Sequence, residues 1–161
     1  MKTKLLALAF VGLFTINGAF AQEQGDFRLN AGMPMIFSPY GSDFRVGFGF
    51  GAEYLIADAF SVAPSYWLTN KDNAKVNLFN IDGRYYFMTD ATQVYGVAGV
   101  SFVGGDVSSY TGFALGAGAI FGISDAIGIN AELKYHLGKP SGANDPLGMG
   151  AYLGLVYTFG N

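Results

Sequence analysis

The stretch from Ile127 to Gly138 reads IGINAELKYHLG, and it decides the fold. Every second residue is apolar: Ile127, Ile129, Ala131, Leu133, Tyr135 and Leu137. Between them stand Gly128, Asn130, Glu132, Lys134 and His136. A period of two marks a β-strand, because successive side chains leave opposite faces of an extended backbone. Such a strand has one apolar face and one polar face. In a water-soluble protein the polar face turns outward. In a barrel surrounded by lipid it turns into the lumen. The rest of the chain chooses between the two.

The first residues stand apart from this pattern. Lys2 and Lys4 precede the apolar run Leu5 to Ile16, and Ala19-Phe20-Ala21 is a small-x-small cleavage pattern. This is the layout of a secretory leader. The run is 12 residues long, whereas a helix needs roughly 17–25 to cross a bilayer. The expected organisation is a signal peptide over 1–21 and one domain over 22–161. Without Lys2 and Lys4 the chain carries seven basic and twelve acidic side chains, net −5, which leaves no footprint for nucleic acid. There is no cysteine, so disulfides contribute nothing to stability. The chain is 51% hydrophobic and only 13% charged. Soluble domains carry charge on about a quarter to a third of their surface positions. This chain has too little charge for that.

The alternation of 127–138 recurs, giving strands near 26–36, 44–56, 60–69, 76–88, 93–103, 111–123, 127–137 and 147–159. Most reach the roughly 9–11 residues that a tilted strand needs to span a membrane. Three connections are tight and carry Asp-Ala: Ala57-Asp58-Ala59, Thr89-Asp90-Ala91-Thr92 and Ser124-Asp125-Ala126. Four are longer and polar: 38–43, 70–75, 104–110 and 138–146. Short turns at one end and longer loops at the other is the layout of a transmembrane barrel, and an even strand count puts both termini at the short-turn end. The fold class is therefore all-β: an eight-stranded antiparallel up-and-down transmembrane β-barrel with meander topology.

Charge and glycine give the direction of the faces. Seven charges fall inside strands: Arg28, Arg45, Glu53, Asp82, Arg84, Glu132 and Lys134. Each lies opposite the larger apolar stripe of its strand. On the sixth strand Gly112, Gly116, Gly118 and Gly122 oppose Phe113, Leu115, Ala117, Ala119 and Phe121. On the eighth, Gly148, Gly150 and Gly154 oppose Leu147, Met149, Leu153, Leu155, Tyr157 and Phe159. Eight strands enclose only enough space for side chains to fill. The large stripes would not fit there, so they face lipid. The small faces leave room for Trp67, Arg84, Tyr86, Glu132 and Tyr152 inside. Closure also satisfies every backbone polar group where lipid offers no partner. Outward aromatics gather near strand ends: Tyr54, Phe60, Phe87, Phe121, Tyr157 and Phe159 at the turn end, Phe44 and Tyr135 toward the loops. Pro64 inside the third strand has no N–H for the ladder, so a bulge or a local gap is expected there. The fifth strand has apolar residues on both faces, and its outward face stays open: Val94, Ala98 and Val100, or Tyr95, Val97 and Val103.

Together these features resemble the small outer-membrane β-barrels of Gram-negative envelopes, the group of the OmpA transmembrane domain, OmpX-like and opacity-type proteins. The residues that carry the resemblance are the leader, the eight alternating strands, the Asp-Ala turns and the terminal strand LGLVYTFG. The resemblance implies the outer membrane as location, with periplasmic termini, and outer-membrane lipid and lipopolysaccharide as surroundings. It also implies recognition by the barrel assembly machinery through Tyr157 and Phe159, and a monomer.

Candidate chemistry is sparse. His136 is the only histidine and cysteine ligands are absent, so the common zinc sites are excluded. Ser141 and Asp145 lie in the loop after His136, and a lipid-modifying enzyme would need a nucleophile and base there. The parity of His136 instead places it in the lumen as a hydrogen-bond partner. GAGAIFG (116–122) and GMGAYLG (148–154) share G-x-G-x-x-x-G. Their even offsets put all three glycines on one strand face, which fits packing and not a dinucleotide loop. The strand charges, Arg28, Arg45, Arg84 and Lys134 against Glu53, Asp82 and Glu132, are nearly balanced. Counted from the Asp-Ala turns, Arg84 stands level with Glu53 and Glu132, so contact with one or both is expected. The expected function is a structural or loop-presenting barrel, not an enzyme and without cofactor or metal, its lumen plugged by these charges. The alternatives are a narrow channel or small hydrophobic-ligand conduit, and less readily a lipid A-modifying enzyme.

Overall fold

The computed structural model describes residues 23–37, 44–71, 74–105, 109–138 and 148–159. The expected leader, the larger part of the long loops and the last two residues lie outside the described residues. Eight strands run in chain order: β1 (Phe27–Phe37), β2 (Phe44–Ala57), β3 (Phe60–Lys71), β4 (Ala74–Thr89), β5 (Thr92–Gly105), β6 (Tyr110–Gly122), β7 (Ile127–Leu137) and β8 (Gly148–Phe159). Each pairs antiparallel with its chain neighbours, and β1 closes onto β8 from Phe27–Phe159 through Phe37–Met149. The result is a closed up-and-down barrel.

The polar face of β7 turns inward. Asn130, Glu132, Lys134 and His136 are buried, while Leu133 between them is 56% exposed. A soluble barrel would show the reverse. The outer wall carries Phe44, Phe48, Phe50, Tyr54, Phe87, Phe113, Leu155 and Phe159, all exposed. Glycine on the inner face makes room for the large luminal residues. A Cβ on Gly150 would stand 2.8 Å from His136 Nε2 and 3.0 Å from a Trp67 ring carbon, and one on Gly118 would collide with the Tyr95 ring. Packing thus accounts for both G-x-G-x-x-x-G stretches.

On β5 the open choice resolves: Tyr95, Val97 and Val103 are buried inside, and Ala98 and Phe102 face out. Gln93 and Ser101 share the inward parity of Tyr95 and are also fully buried.

The ladder departs from regularity in two ways. Register shifts occur at Leu55/Ala57 against β3 and at Tyr86/Met88 against β5. The second puts neighbours Phe87 and Met88 both on the outside, as an extra residue in one strand does. The prolines produce gaps without a shift. β3 keeps an unbroken ladder with β4 through Pro64–Ile81. Against β2 its pairing stops at Gly51–Ser65 and resumes, in the same register, at Tyr54–Val62. Pro34 does likewise: continuous toward β8, interrupted toward β2 between Gly32–Gly49 and Met35–Val46. A proline nitrogen cannot donate, and in both cases the missing donor faces β2.

At the turn end, the segment before β1 is strapped onto the first turn. Gly25 N donates to Leu55 O at 2.9 Å, Gln24 N to Asp58 Oδ1 at 3.1 Å, and the Gln24 side chain to Ile56 O at 3.1 Å. Gly25 has φ 96°, a left-handed value that glycine adopts without strain.

Candidate functional site

The inward parity of β1, β2, β4 and β7 brings Arg28, Glu53, Asp82, Arg84, Glu132 and Lys134 into one layer of the lumen, each no more than 4% exposed. Three are cations and three are anions. Arg84 is the hub. Its NH1 stands 2.8 Å from Glu53 Oε2 and its NH2 2.7 Å from Glu132 Oε2. The guanidinium fork holds two carboxylates from strands that are not its neighbours, which a lysine ammonium could not do with the same geometry. Lys134 Nζ then ties Glu132 Oε1 at 3.1 Å to Asp82 Oδ2 at 2.7 Å. The chain of contacts crosses the barrel: Glu53 on β2, Arg84 on β4, Glu132 and Lys134 on β7, and back to Asp82 on β4.

Hydroxyls complete the carboxylate shells. Ser61 Oγ donates to Glu53 Oε1 at 2.5 Å, and the Tyr86 hydroxyl donates to the same oxygen. Arg28 NH1 donates to the Tyr86 hydroxyl at 3.2 Å, and Arg28 stands directly opposite Glu53 in the β1–β2 register. The Tyr95 hydroxyl lies 2.8 Å from Glu132 Oε2 and 2.7 Å from Asn130 Oδ1, sharing one proton between two acceptors. Each cation also lies over an aromatic face: Arg84 over Tyr95 at 4.7 Å, Lys134 over Trp67 at 4.8 Å and Arg28 over Tyr86 at 5.7 Å. These distances fall within the range of cation–π attraction.

Two clusters of large side chains pack against the charges. Tyr86, Tyr95, Val97, Ile120 and Val156 pack toward the turn end. Ile36, Trp67, Leu78, Val103 and Tyr152 pack toward the loop end, with Trp67 and Tyr152 stacked at 5.9 Å. His136 belongs to this upper region. Its ring meets Trp67 edge-on at 6.0 Å, and Nδ1 lies 3.2 Å from Ser101 Oγ. Ser101 donates its own proton to Asn80 Oδ1 at 2.7 Å. With that proton on Asn80, the tautomer that matches has Nδ1 donate to Ser101 Oγ. This is a relay of luminal hydrogen bonds. Ser141 and Asp145 lie outside the described residues. Among the described residues, no group of three His, Cys, Asp or Glu side chains is placed to hold a metal ion.

Arg45 is placed differently from the other strand charges. It sits half-buried near the loop end of β2, opposite Ile36 and eight residues from Glu53. Tyr95 and Ser61 are the members of the layer that sequence reasoning did not single out. The signal for Tyr95 was present in Gln93 and Ser101, polar residues of the same parity on a strand otherwise apolar on both faces.

Solved structures share this architecture. The outer membrane protein OprG from Pseudomonas aeruginosa superposes with a TM-score of 0.72 at 16% identity, covering 88% of this chain and 99% of that one. The N-terminal β-barrel domain of Pseudomonas aeruginosa OprF gives 0.67 at 21% identity, over 86% and 100%. Ail, the attachment invasion locus protein of Yersinia pestis, gives 0.60 at 19% identity, over 84% and 99%. At these identities the likeness is one of fold. A search of curated protein sequences returned no match. The family model of the outer membrane protein beta-barrel domain matches residues 6–159. The chain belongs to that family, and it is an outer-membrane β-barrel protein.

Proposed function

We propose that this barrel is a non-enzymatic envelope protein whose lumen is closed by the charged layer and whose loops are presented at the cell surface. The observation that carries this is Arg84 bridging Glu53 and Glu132 across the lumen at 2.8 and 2.7 Å. Bridged charges occupy the bore, with two clusters of large side chains packed against them. A water-filled bore takes about 16–18 strands, whereas eight enclose a space that side chains fill. The full set of luminal partners, Arg28, Asp82 and Lys134 with Arg45 nearer the loops, makes the interior close to neutral.

On this proposal the chain is exported with loss of residues 1–21, inserts as a monomer with the Asp-Ala turns and both termini in the periplasm, and is surrounded by phospholipid and lipopolysaccharide. Tyr157 and Phe159 serve as the assembly signal. Their outward rings pack T-shaped at 4.7 Å, at the end of the last strand.

Planar-bilayer conductance tests the closed lumen. Wild type is expected to show no steady channel, and Arg84→Ala to show openings; a steady wild-type conductance would favour a narrow channel. Cysteines at Ser42, Asn73, Ser109 and Asn144 are expected to react with an impermeant thiol reagent on intact cells, and cysteines at Asp58, Asp90 and Asp125 to stay unlabelled. Labelling of the second set would invert the orientation. A lipid A mass spectrum that changes when the protein is expressed would overturn the non-enzymatic assignment.

A further inference from the structure

The outer wall is not uniformly bulky. Along the row Leu155–Ala31–Phe50, which is continuous across β8, β1 and β2, the middle residue is a methyl group between two large side chains. Leu155 is 59% exposed and Phe50 49%. The backbone under this notch is also close-packed. Gly32 faces Gly154 across the β1–β8 ladder, and a Cβ on Gly32 would collide with the β8 backbone.

The outcome is a groove of two lobes that share Ala31 and Leu155. One lobe, about 580 Å³, runs toward Met33, Leu153 and Phe48. The other, about 480 Å³, runs toward Leu29 and Tyr157 at the turn end. No charged side chain lines either lobe.

We infer that this groove seats one acyl chain of a periplasmic-leaflet phospholipid. Three observations choose that occupant. The groove lies on the wall of a membrane barrel, so hydrocarbon surrounds it and nothing in it can recognise a polar partner. Its span from Leu29 to Met33 is four residues, about 13 Å along the strand and about 10 Å in depth at the usual strand tilt, which fits within the roughly 15 Å hydrocarbon depth of one leaflet. Its lower lobe opens beside Tyr157, whose ring meets Phe159 edge-on, and Phe159 lies 5.9 Å from Phe27. Such an aromatic girdle sits at headgroup depth. The chain would therefore descend from headgroups at the turn end, with its methyl terminus near Met33 at mid-membrane. Assignment to the periplasmic leaflet rests on the proposed periplasmic placement of the turns.

Native mass spectrometry of the full barrel released from outer membranes into detergent tests this, with the retained lipid identified as phosphatidylethanolamine or hexa-acylated lipid A. Wild type is expected to retain one phosphatidylethanolamine. Ala31→Leu fills the notch and removes the packing contacts made there, for a several-fold loss of retention. Ala31→Val is expected to fall between, and it carries the test if Ala31→Leu fails the heat-shift assay for folded barrel. Ala119→Leu, also on the outer wall but outside the groove, is expected to match wild type. No retained lipid in wild type, equal retention by wild type and the Ala31 variants, or equal loss in Ala119→Leu would overturn the groove. Retention of lipid A in place of phosphatidylethanolamine would overturn the occupant. Thiol labelling then shows whether the turn orientation failed with it.

Discussion

Leu133 and its neighbours Glu132 and Lys134 are consecutive on one strand, yet they live in opposite surroundings. Leu133 projects into hydrocarbon and is 56% exposed. Glu132 and Lys134 lie inside, 4% and 2% exposed, and meet three charged or hydroxyl partners between them, Arg84, Tyr95 and Asp82, as well as each other. The outer residue needs only to be apolar, because lipid accommodates any shape. The inner residues need particular partners, because a charge removed from water is stable only when it is matched. A sequence for such a barrel is therefore loosely constrained on one face and tightly constrained on the other, with a period of two.

Substitutions on the two faces can break or sharpen this contrast. The largest effect is expected inside. Arg84→Ala takes one cation from each of Glu53 and Glu132, and breaking a buried pair in this way costs about 3–5 kcal/mol. Urea unfolding in lipid vesicles measures it, and a loss near zero would mean that water replaces the guanidinium freely. Replacing both partners, Arg84→Met with Glu53→Leu, should recover much of the loss, since matched apolar side chains remove the unpaired charge as well. A double variant no better than Arg84→Ala would place the penalty on the groups that still lose a partner, Glu132 and the Ser61 and Tyr86 hydroxyls, and not on Glu53.

Next comes the outer face. Leu133→Arg should destabilise by about 2–4 kcal/mol if it lies near the bilayer midplane. Tolerance of arginine there, in the same assay, would contradict the outward assignment. The smallest effect is expected for a neutral luminal partner. Asn130→Ala removes one acceptor of the Tyr95 hydroxyl, which keeps Glu132 as the other, so the loss should be about 1 kcal/mol. A loss as large as that of Arg84→Ala would make Tyr95, and not Arg84, the hub of the layer.

Much of this was legible before any coordinates. The period of two gave eight strands with ends within two residues of those observed, because lipid on one side and a narrow lumen on the other force strict alternation. The Asp-Ala turns supplied a zero of height, and counting from them brought Arg84 level with Glu53 and Glu132. What escaped has a common cause. Tyr95 sits on a strand with apolar residues on both faces, so parity alone carries little information there. The register shifts at Leu55/Ala57 and Tyr86/Met88 arise from how two strands meet, which neither strand encodes alone. Pro64 announced an irregularity, but which neighbour would lose its hydrogen bond depends on the register. Pro34 drew no notice at all, since it sits among apolar residues in a stretch that otherwise alternates.

Those two prolines give a closed ring a weak place. A barrel has no first or last strand in its hydrogen bonding, yet β2 lacks a ladder contact on each flank, opposite Pro34 on one side and opposite Pro64 on the other. Amide protons in the middle of β2, from Gly47 to Glu53, should therefore trade with deuterium sooner than those of β4, whose ladders to β3 and β5 run without such gaps through the same depth. When the molecule is heated or pulled, rupture is expected to begin there. A ring that is seamless in topology thus has a fixed place at which it tears, written by two residues that cannot donate a proton.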